Sequence, residues 1–521
     1  LAQVLAGVGT AVLLVVGSTV ALLNADAVAA GTPPGKPQRL EVSIPQGRAA
    51  FELTWQSPKP TYPPPPTPTP SITETPTTTE SPTETPTETA SPSPEPEPVP
   101  VPVDGYQVLV NDEVVGQTAV THFTVTAGLQ LGRTYRLSVR ALNDAGHGAE
   151  ISRSQILYVN AVTTPQRANP DNPLAGRDWG VYMGDSDPYW SGWSRLSASD
   201  RDRLALPAVT SKAKFFGSWI SDDSATKKTR EYIRGAQAGH PERITFLTLF
   251  RMFPWEGEAS IVKRLPTKAE QASYRAYVEN TAEAIGSERV AVVVQPDGYF
   301  AKVAFDAHRR EGRKKALLPA RMLAWTVRTL ARQPNTSVYM EMGSEDWARG
   351  NVKAVAKFLR LCGVKYARGF ALNTSHKNYL DREVLFAKKV SQALAKRGIK
   401  DKHAVIDTSD NGHPFAGAEL NPGGHNNPNY TAPGDINPCD KITAKGLCTA
   451  LGVPPTTDVD NPRWGLSAAA NRAAATYVDA YLWVSRPWLP HQGAGGTSLS
   501  VPFASKLVRT NPYSPYFAGT P

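Results

Sequence analysis

Two periodicities divide this chain. From Pro37 to Trp55, and again from Val103 to Leu142, apolar and polar residues alternate, as in PQRLEVSIPQGRAAFELTW and LGRTYRLSVRAL. A period of two turns successive side chains to opposite faces, so both stretches predict half-buried β-strands. Between them, from about Ser57 to Pro102, lies Pro/Thr/Glu/Ser sequence with repeated TETPT. It has too little apolar area to bury and predicts an extended, mobile segment.

From Asn172 the pattern changes to short apolar runs separated by amphipathic stretches. The predicted strands are WGVYM at Trp179, RITFLTLF at Arg243, RVAVVVQPD at Arg289, SVYMEMG at Ser337, ARGFALNTS at Ala367, HAVIDTSDNG at His403 and VDAYLWVS at Val478. Segments such as EQASYRAYVENTAEAIG and REVLFAKKVSQALAKRG carry helical spacing between them. Alternating β and α elements predict an α/β fold with a parallel sheet and right-handed crossovers. About seven strands favour a distorted, TIM-like β/α barrel over an open sheet, with a β-sandwich domain N-terminal to it.

The first residues read differently. Leu5 to Leu23 is apolar and uncharged, and ADAVAA after it fits an A-x-A cleavage site at Ala27 to Ala29. Residues 1–30 are therefore expected to be an export signal, which makes the protein secreted. The chain starts at Leu1 without a basic n-region, and the run is long enough to serve as an uncleaved anchor instead. Only that anchor would place the protein on a membrane.

Composition narrows the functional classes. The 521 residues exceed one ordinary core, and the net charge of +9 comes from scattered Lys and Arg without a block that would grip nucleic acid. Three cysteines exclude a disulfide scaffold, although Cys439 and Cys448 lie close enough in sequence to pair. Closing so short a loop stabilises by roughly 2 to 3 kcal/mol in the chain-entropy model. Cys362, in FLRLCGV, reads as a buried apolar thiol. The histidines, among them His376, His403, His413, His425 and His491, show no paired ligand spacing, so no metal or other cofactor is expected.

The chemistry comes from strands that finish on acids. In parallel β/α architectures the carboxyl ends of the strands face a shared cleft. Asp297, Glu341 and Asp407 fall at or near such ends, with Glu256 just beyond another. A lone acid there is as often a loop cap. Several converging acids are what glycosidic bond cleavage requires, since one must donate a proton while another stays charged. Eleven Trp residues add flat faces suited to sugar rings, with Trp179, Trp255, Trp347, Trp464, Trp483 and Trp488 near strand ends or loops and Trp325 in a helical pattern. Ordinary packing is the competing reading for each.

At these residues the chain from about Asn172 to Phe517 resembles glycoside hydrolase family 6, secreted cellulases of the endoglucanase and cellobiohydrolase type. VQPDG is similar to the family's Glu-Pro-Asp, keeping Pro296 and Asp297 but carrying Gln295. LFRMFPWEG places Glu256 where the family has an Asp that tunes the donor, and YMEMGSEDW matches Tyr-Leu-Asp-Ala-Gly-His-x-x-Trp through Glu341, Ser344 and Trp347. GFALNTS matches through Asn373, and IDTSDNG through Asp407, Asn411 and Gly412. The closing ASKLVRTNPYSPYF is also similar.

One segment departs. Where the family reads Trp-Val-Lys-Pro-Gly-Glu-Ser-Asp-Gly, this chain reads WVSRPWLPHQG, keeping Trp483 and losing the sugar-binding Lys, the Glu and the candidate base Asp. Arg486 offers a replacement charge. The resemblance implies an inverting hydrolase of β-1,4-glucan with Asp297 as general acid, Glu256 and Glu341 as supporting carboxylates, and a polysaccharide partner for a monomeric enzyme. Asp346 and Asp410 are the candidates for a relocated base. Trp179, Trp255, Trp347, Asn373, Trp483 and Arg486 are the expected substrate-binding set. Loss of catalysis, leaving a glycan-binding protein on the same fold, is the alternative.

The two N-terminal flanks together resemble a fibronectin type III domain through Trp55, Tyr106, Leu129, Gly132, Tyr135, Val139 and Ala141. The expected domains are residues 31–160, interrupted by an insert at about 57–102, and residues 171–521. A conventional linker after a broken remnant is the rival reading.

Overall fold

The computed structural model describes residues 31–62, 99–251, 263–422, 436–488 and 498–513. The apolar N-terminal run, most of the Pro/Thr-rich insert, Trp255, Glu256, His425, His491 and the last residues of the closing segment lie outside that set.

Eight strands precede the β/α region: β1 (Gln38–Ser43), β2 (Phe51–Gln56), β3 (Gly105–Val110), β4 (Glu113–Thr118), β5 (His122–Val125), β6 (Thr134–Asn143), β7 (Gly146–His147) and β8 (Ile151–Ile156). They form a sheet of order β1-β2-β5 and another of order β4-β3-β6-β7, with β8 also paired to β6. Alternation explains β2, where Phe51, Leu53 and Trp55 are buried and the residues between them are exposed. Trp55 packs edge-on against Tyr106 at 5.3 Å, and Gln130 N donates to the Tyr135 hydroxyl at 2.7 Å. Val101 N donates to Thr61 O at 2.8 Å, which brings together the two ends of the chain that flank the insert.

Seven further strands follow: β9 (Lys214–Phe216), β10 (Thr245–Leu249), β11 (Val290–Val294), β12 (Thr336–Glu341), β13 (Gly369–Leu372), β14 (His403–Asp407) and β15 (Val478–Leu482). They are all parallel and lie in sequence order across one sheet. The sheet curls as a β/α barrel does. Ala213 N, beside β9, donates to Trp483 O, beside β15, at 2.9 Å.

The set of strands differs from expectation at one place. WGVYM forms only an isolated bridge from Trp179 to Ile244, and the three-residue β9 supplies the first strand. The apolar character of WGVYM reports burial: Trp179 is 1% exposed, packs on Phe246 at 4.7 Å and donates its indole N–H to Leu174 O.

Burial on both faces explains the unbroken apolar run of β11. Val290, Val292 and Val294 join a core with helix residues such as Tyr277, Val278, Leu323 and Val327, while Ala291 and Val293 face an inner layer with Phe246, Tyr339, Ala371, Val405 and Ala480. At the amino ends of the strands, β15 bulges between its pairings with Ala404 and Val405, leaving Asp479 unpaired in the ladder. That carboxylate is fully buried and accepts bonds from Tyr339 Oη (2.7 Å), Arg368 Nε and Nη2 (2.9 Å each) and Asn169 Nδ2 (2.7 Å).

Two compact units emerge from the distribution of contacts. One holds Leu1–Glu41, Thr54–Phe123 and Arg136–Arg153; the other holds Val42–Leu53, Thr124–Tyr135 and Ser154–Pro521. The second thus takes parts of the early strands with it, through bonds such as Gln46 Nε2 to Asp178 Oδ1 (3.2 Å) and Asn160 Nδ2 to Ile44 O (2.8 Å). Cys439 and Cys448 form a disulfide, and Cys362 is buried and reduced. No helix among the described residues is long and apolar enough to cross a membrane.

Candidate active site

β11 leaves the sheet through an abrupt turn. Gln295 and Asp297 both take positive φ, 53° and 62°. The left-handed conformation costs a non-glycine residue about 1–2 kcal/mol, and it persists where the surroundings enforce it. Here Gln295 N donates to Leu249 O at 2.7 Å, its Oε1 accepts from Arg251 N at 3.3 Å, and Gly298 N donates to Glu341 Oε2 at 2.6 Å. A Cβ on Gly298 would stand 1.8 Å from Glu341 O, so only glycine lets the turn lie against β12. The strand ends on an acid because this turn brings Asp297 to the strand's carboxyl end, immediately before the helix Phe300–His308.

Burial pushes the Asp297 carboxyl up to about 6, against a smaller opposing pull from His376. Glu341, the fully buried last residue of β12, goes further in the same direction, driven first by burial and then by Asp297. Its two oxygens accept from Gly298 N and from Gly343 N (2.8 Å), so it anchors the turn that carries Asp297.

Past β12 stands a second cluster. Asp346 Oδ1 accepts from Trp347 N at 2.9 Å and from Ser344 Oγ, Oδ2 accepts from Gly417 N at 2.7 Å, and His376 Nδ1 lies 3.4 Å from Oδ1. Burial alone would raise the Asp346 carboxyl, but His376 and these donors hold it well below the usual carboxylate range. The His376 ring stacks on Trp347, with centroids 5.6 Å apart and planes 17° from parallel; Tyr299 and Phe300 meet the indole edge-on at 5.4 and 5.0 Å. Glu383 on the helix Leu380–Ala395 is fully buried beside it, accepts from Asn378 Nδ2 (2.6 Å) and Glu345 N (2.8 Å), and is pushed by burial up to about 8.

The remaining strand ends are tied to one another. Asn373 is fully buried at φ 70°, donating from Nδ2 to Asp407 O at 2.9 Å and accepting Asn378 N at 3.2 Å on Oδ1. Asp407 accepts from Ser409, Val484 N and both donors of Ser485, whose Oγ in turn accepts from Ser375 N at 2.8 Å. Asp410 forms a buried ion pair with Lys377, Nζ to Oδ2 2.8 Å. Arg486, half-buried, lays its guanidinium 5.1 Å from the ring centre of Phe215 on β9.

The expected site residues therefore separate. Asp297, Glu341, Asp346, Trp347, Asn373, Asp410 and Arg486 lie at the carboxyl ends of the sheet, but the Asn373 amide is consumed by protein partners and faces no open space. Trp179 and Trp483 are each 1% exposed. Their indole N–H groups donate to Leu174 O and Val453 O, so both rings fill the protein rather than offer a sugar platform. Trp464 and Trp488 are likewise buried, whereas Trp219 is 54% exposed beyond β9, with its ring against Gly217. Sequence reasoning missed Trp219 because β9 was not foreseen. It also missed Ser485, Lys377 and the role of His376. The signal for His376 was present in its place directly after the NTS of the matched motif. A grouping of His413 with Cys439 and Cys448 has both sulfurs in the disulfide, which leaves no thiolate to hold a metal.

A half-buried acid with a raised carboxyl, set among further carboxylates at the strand ends of a seven-stranded β/α sheet, fits the chemistry of a glycoside hydrolase. Residues 193–497 match the profile of Glycosyl hydrolases family 6, and the chain belongs to that family. Endoglucanase 1 of Streptomyces halstedii is 25% identical over 249 residues, 47% of this chain and 73% of the relative. Endoglucanase A of Cellulomonas fimi is 24% identical over 247 residues, 47% of this chain and 49% of that relative. Among solved structures, the endoglucanase Cel6 from Mycobacterium tuberculosis, in complex with methyl-cellobiosyl-4-deoxy-4-thio-β-D-cellobioside, is similar at 23% identity and a TM-score of 0.47, over 64% of this chain and 98% of that one.

Proposed function

We propose that this glycoside hydrolase cleaves β-1,4-glucan by single displacement with inversion, with Asp297 as general acid. The observation that carries the assignment is the Asp297 carboxyl itself: at the end of β11, raised to about 6, and seated on a turn that Glu341 anchors. An acid of that strength is still partly protonated near neutral pH and can protonate the leaving oxygen, while water attacks the opposite face of the ring. Family membership and the two endoglucanase relatives support the glucan. The same reading makes the protein a secreted monomer acting on a polysaccharide, with residues 31–160 as a fibronectin type III module. The Gln130 N bond to the Tyr135 hydroxyl supports the module, because such a corner recurs in sandwiches of this kind.

Water activation is the weaker half of the mechanism. Asp346 and Asp410 are both in ion pairs, so either must exchange a protein partner for the water before it can act as base. Those pairs favour a second reading, a glycan-binding protein with slow or absent turnover. Reducing-sugar release from soluble and crystalline cellulose decides between them. Replacing Asp297 by Asn should cut turnover about 100-fold to 10,000-fold while sugar binding stays near wild type, since the amide keeps the shape and loses the proton. Proton NMR of fresh product should show the α anomer first. A mutant with more than roughly a tenth of wild-type turnover, or an initial β anomer, overturns the assignment.

A further inference from the structure

We infer that His376 is a positioning residue for the acid: held against Asp346, it presses Trp347 onto the Tyr299–Phe300 segment that follows Asp297 and supplies the positive charge that Asp297 faces. This rests on the role of Asp297 proposed above.

The contacts run in one chain. His376 N donates to Asn373 O at 3.0 Å, which fixes the residue at the end of β13. Its ring then reaches Asp346 through Nδ1 and covers one face of Trp347, and the indole meets Tyr299 and Phe300 at the start of the helix that carries on from Asp297. Gly343 leaves the space for this arrangement, because a Cβ there would stand 2.8 Å from the Trp347 ring and 3.2 Å from Tyr299 Cβ.

The titratable groups that act on His376 are Asp346 beyond β12, Asp297 beyond β11, and Glu383 on the helix Leu380–Ala395. The adjacent Lys377 is neutralised by Asp410. Burial by itself would favour the neutral imidazole, yet the three acids, Asp346 foremost, raise it above its ordinary value. Its influence on Asp297 is the reverse, lowering a carboxyl that burial raises.

The test compares His376→Phe, which retains a flat ring over Trp347 without charge, with His376→Arg, which restores a cation. Carbon-13 NMR of the Asp297 carboxyl gives its titration directly, and the basic limb of the kcat profile follows the same group during hydrolysis. In His376→Phe both midpoints should move up by about one pH unit, and in His376→Arg both should return towards wild type. Should either variant fail to fold, His376→Gln and the imidazole titration of the wild-type protein serve instead. A wild-type imidazole that is neutral at pH 6, or an Asp297 midpoint unchanged in His376→Phe or His376→Gln, overturns the inference. If the carboxyl midpoint moves but no variant and no wild-type protein releases sugar, the proposed function fails while the electrostatic role of His376 stands.

Discussion

Asp297 makes a statement about stability as well as catalysis. Its folded value is raised to about 6 from an ordinary 3.8. Raised carboxyls stabilise the fold in full below the unfolded value, and that contribution is lost as pH rises through the folded one. The window is therefore about pH 4 to 6, and the loss amounts to roughly 3 kcal/mol at most for a shift of about two units. Replacing Asp297 by Asn should leave stability at pH 4 near wild type and increase it at pH 8, as urea unfolding at the two pH values measures. The substitution that tests the proposed catalytic role is thus expected to stabilise the protein at pH 8, and an Asn variant equally stable or weaker there would contradict the raised carboxyl. The acid itself was legible in the sequence, since an apolar run ending on a carboxylate is unusual. Its electrostatic partner was marked only by its place after the NTS of the matched motif, with nothing to tie it to Asp297. His376 lies 79 residues further on, and only the fold brings the end of β13 to the turn after β11.

At the level of elements, periodicity read burial correctly and pairing imperfectly. Six of the seven expected strands, β10 through β15, follow apolar runs that both layers of the core bury. WGVYM satisfies the same criterion because Trp179 fills the inner layer, yet it joins the sheet only through an isolated bridge. KFF, too short to show a period, is the strand that pairs. Long-range polar contacts were likewise invisible. Asp479 looks like a solvent acid in VDAYLWVS, but the bulge turns it onto Arg368, Asn169 and Tyr339. Changing Asp479 to Ala leaves Arg368 without its carboxylate and should cost about 3–5 kcal/mol, because breaking a buried pair strands the other charge. Denaturant unfolding measures this. A cost under about 1 kcal/mol, the value of an exposed pair, would mean that the network adds little.

For the molecule as a whole, we propose that the Pro/Thr-rich stretch interrupts one folded module, a reading that the Val101 N bond to Thr61 O supports. A loop whose ends already meet can be shortened without rebuilding anything. Replacing residues 63–98 by six Gly and Ser residues should raise stability by about 1–2 kcal/mol, the closure entropy saved in the unfolded chain. Thermal unfolding of the excised protein checks this, and a large loss would show that the stretch contributes contacts of its own. A protease site placed in the same stretch should yield two fragments that stay together on a sizing column. Fragments that separate would restore the linker reading.

The meeting of Ala213 and Trp483 gives the curled sheet an unequal mechanics. Five residue pairs join β11 to β12, and five join β10 to β11. Among the described residues, one backbone hydrogen bond joins the chain beside β9 to the chain beside β15. Opening the sheet along an inner ladder breaks several bonds together, whereas opening it at this seam forfeits a bond worth about 1 kcal/mol net. The curled sheet therefore has a clasp beside Arg486 and Phe215, and the turn that bears Asp297 stands two strands in from it, behind the full ladders of β10 and β11.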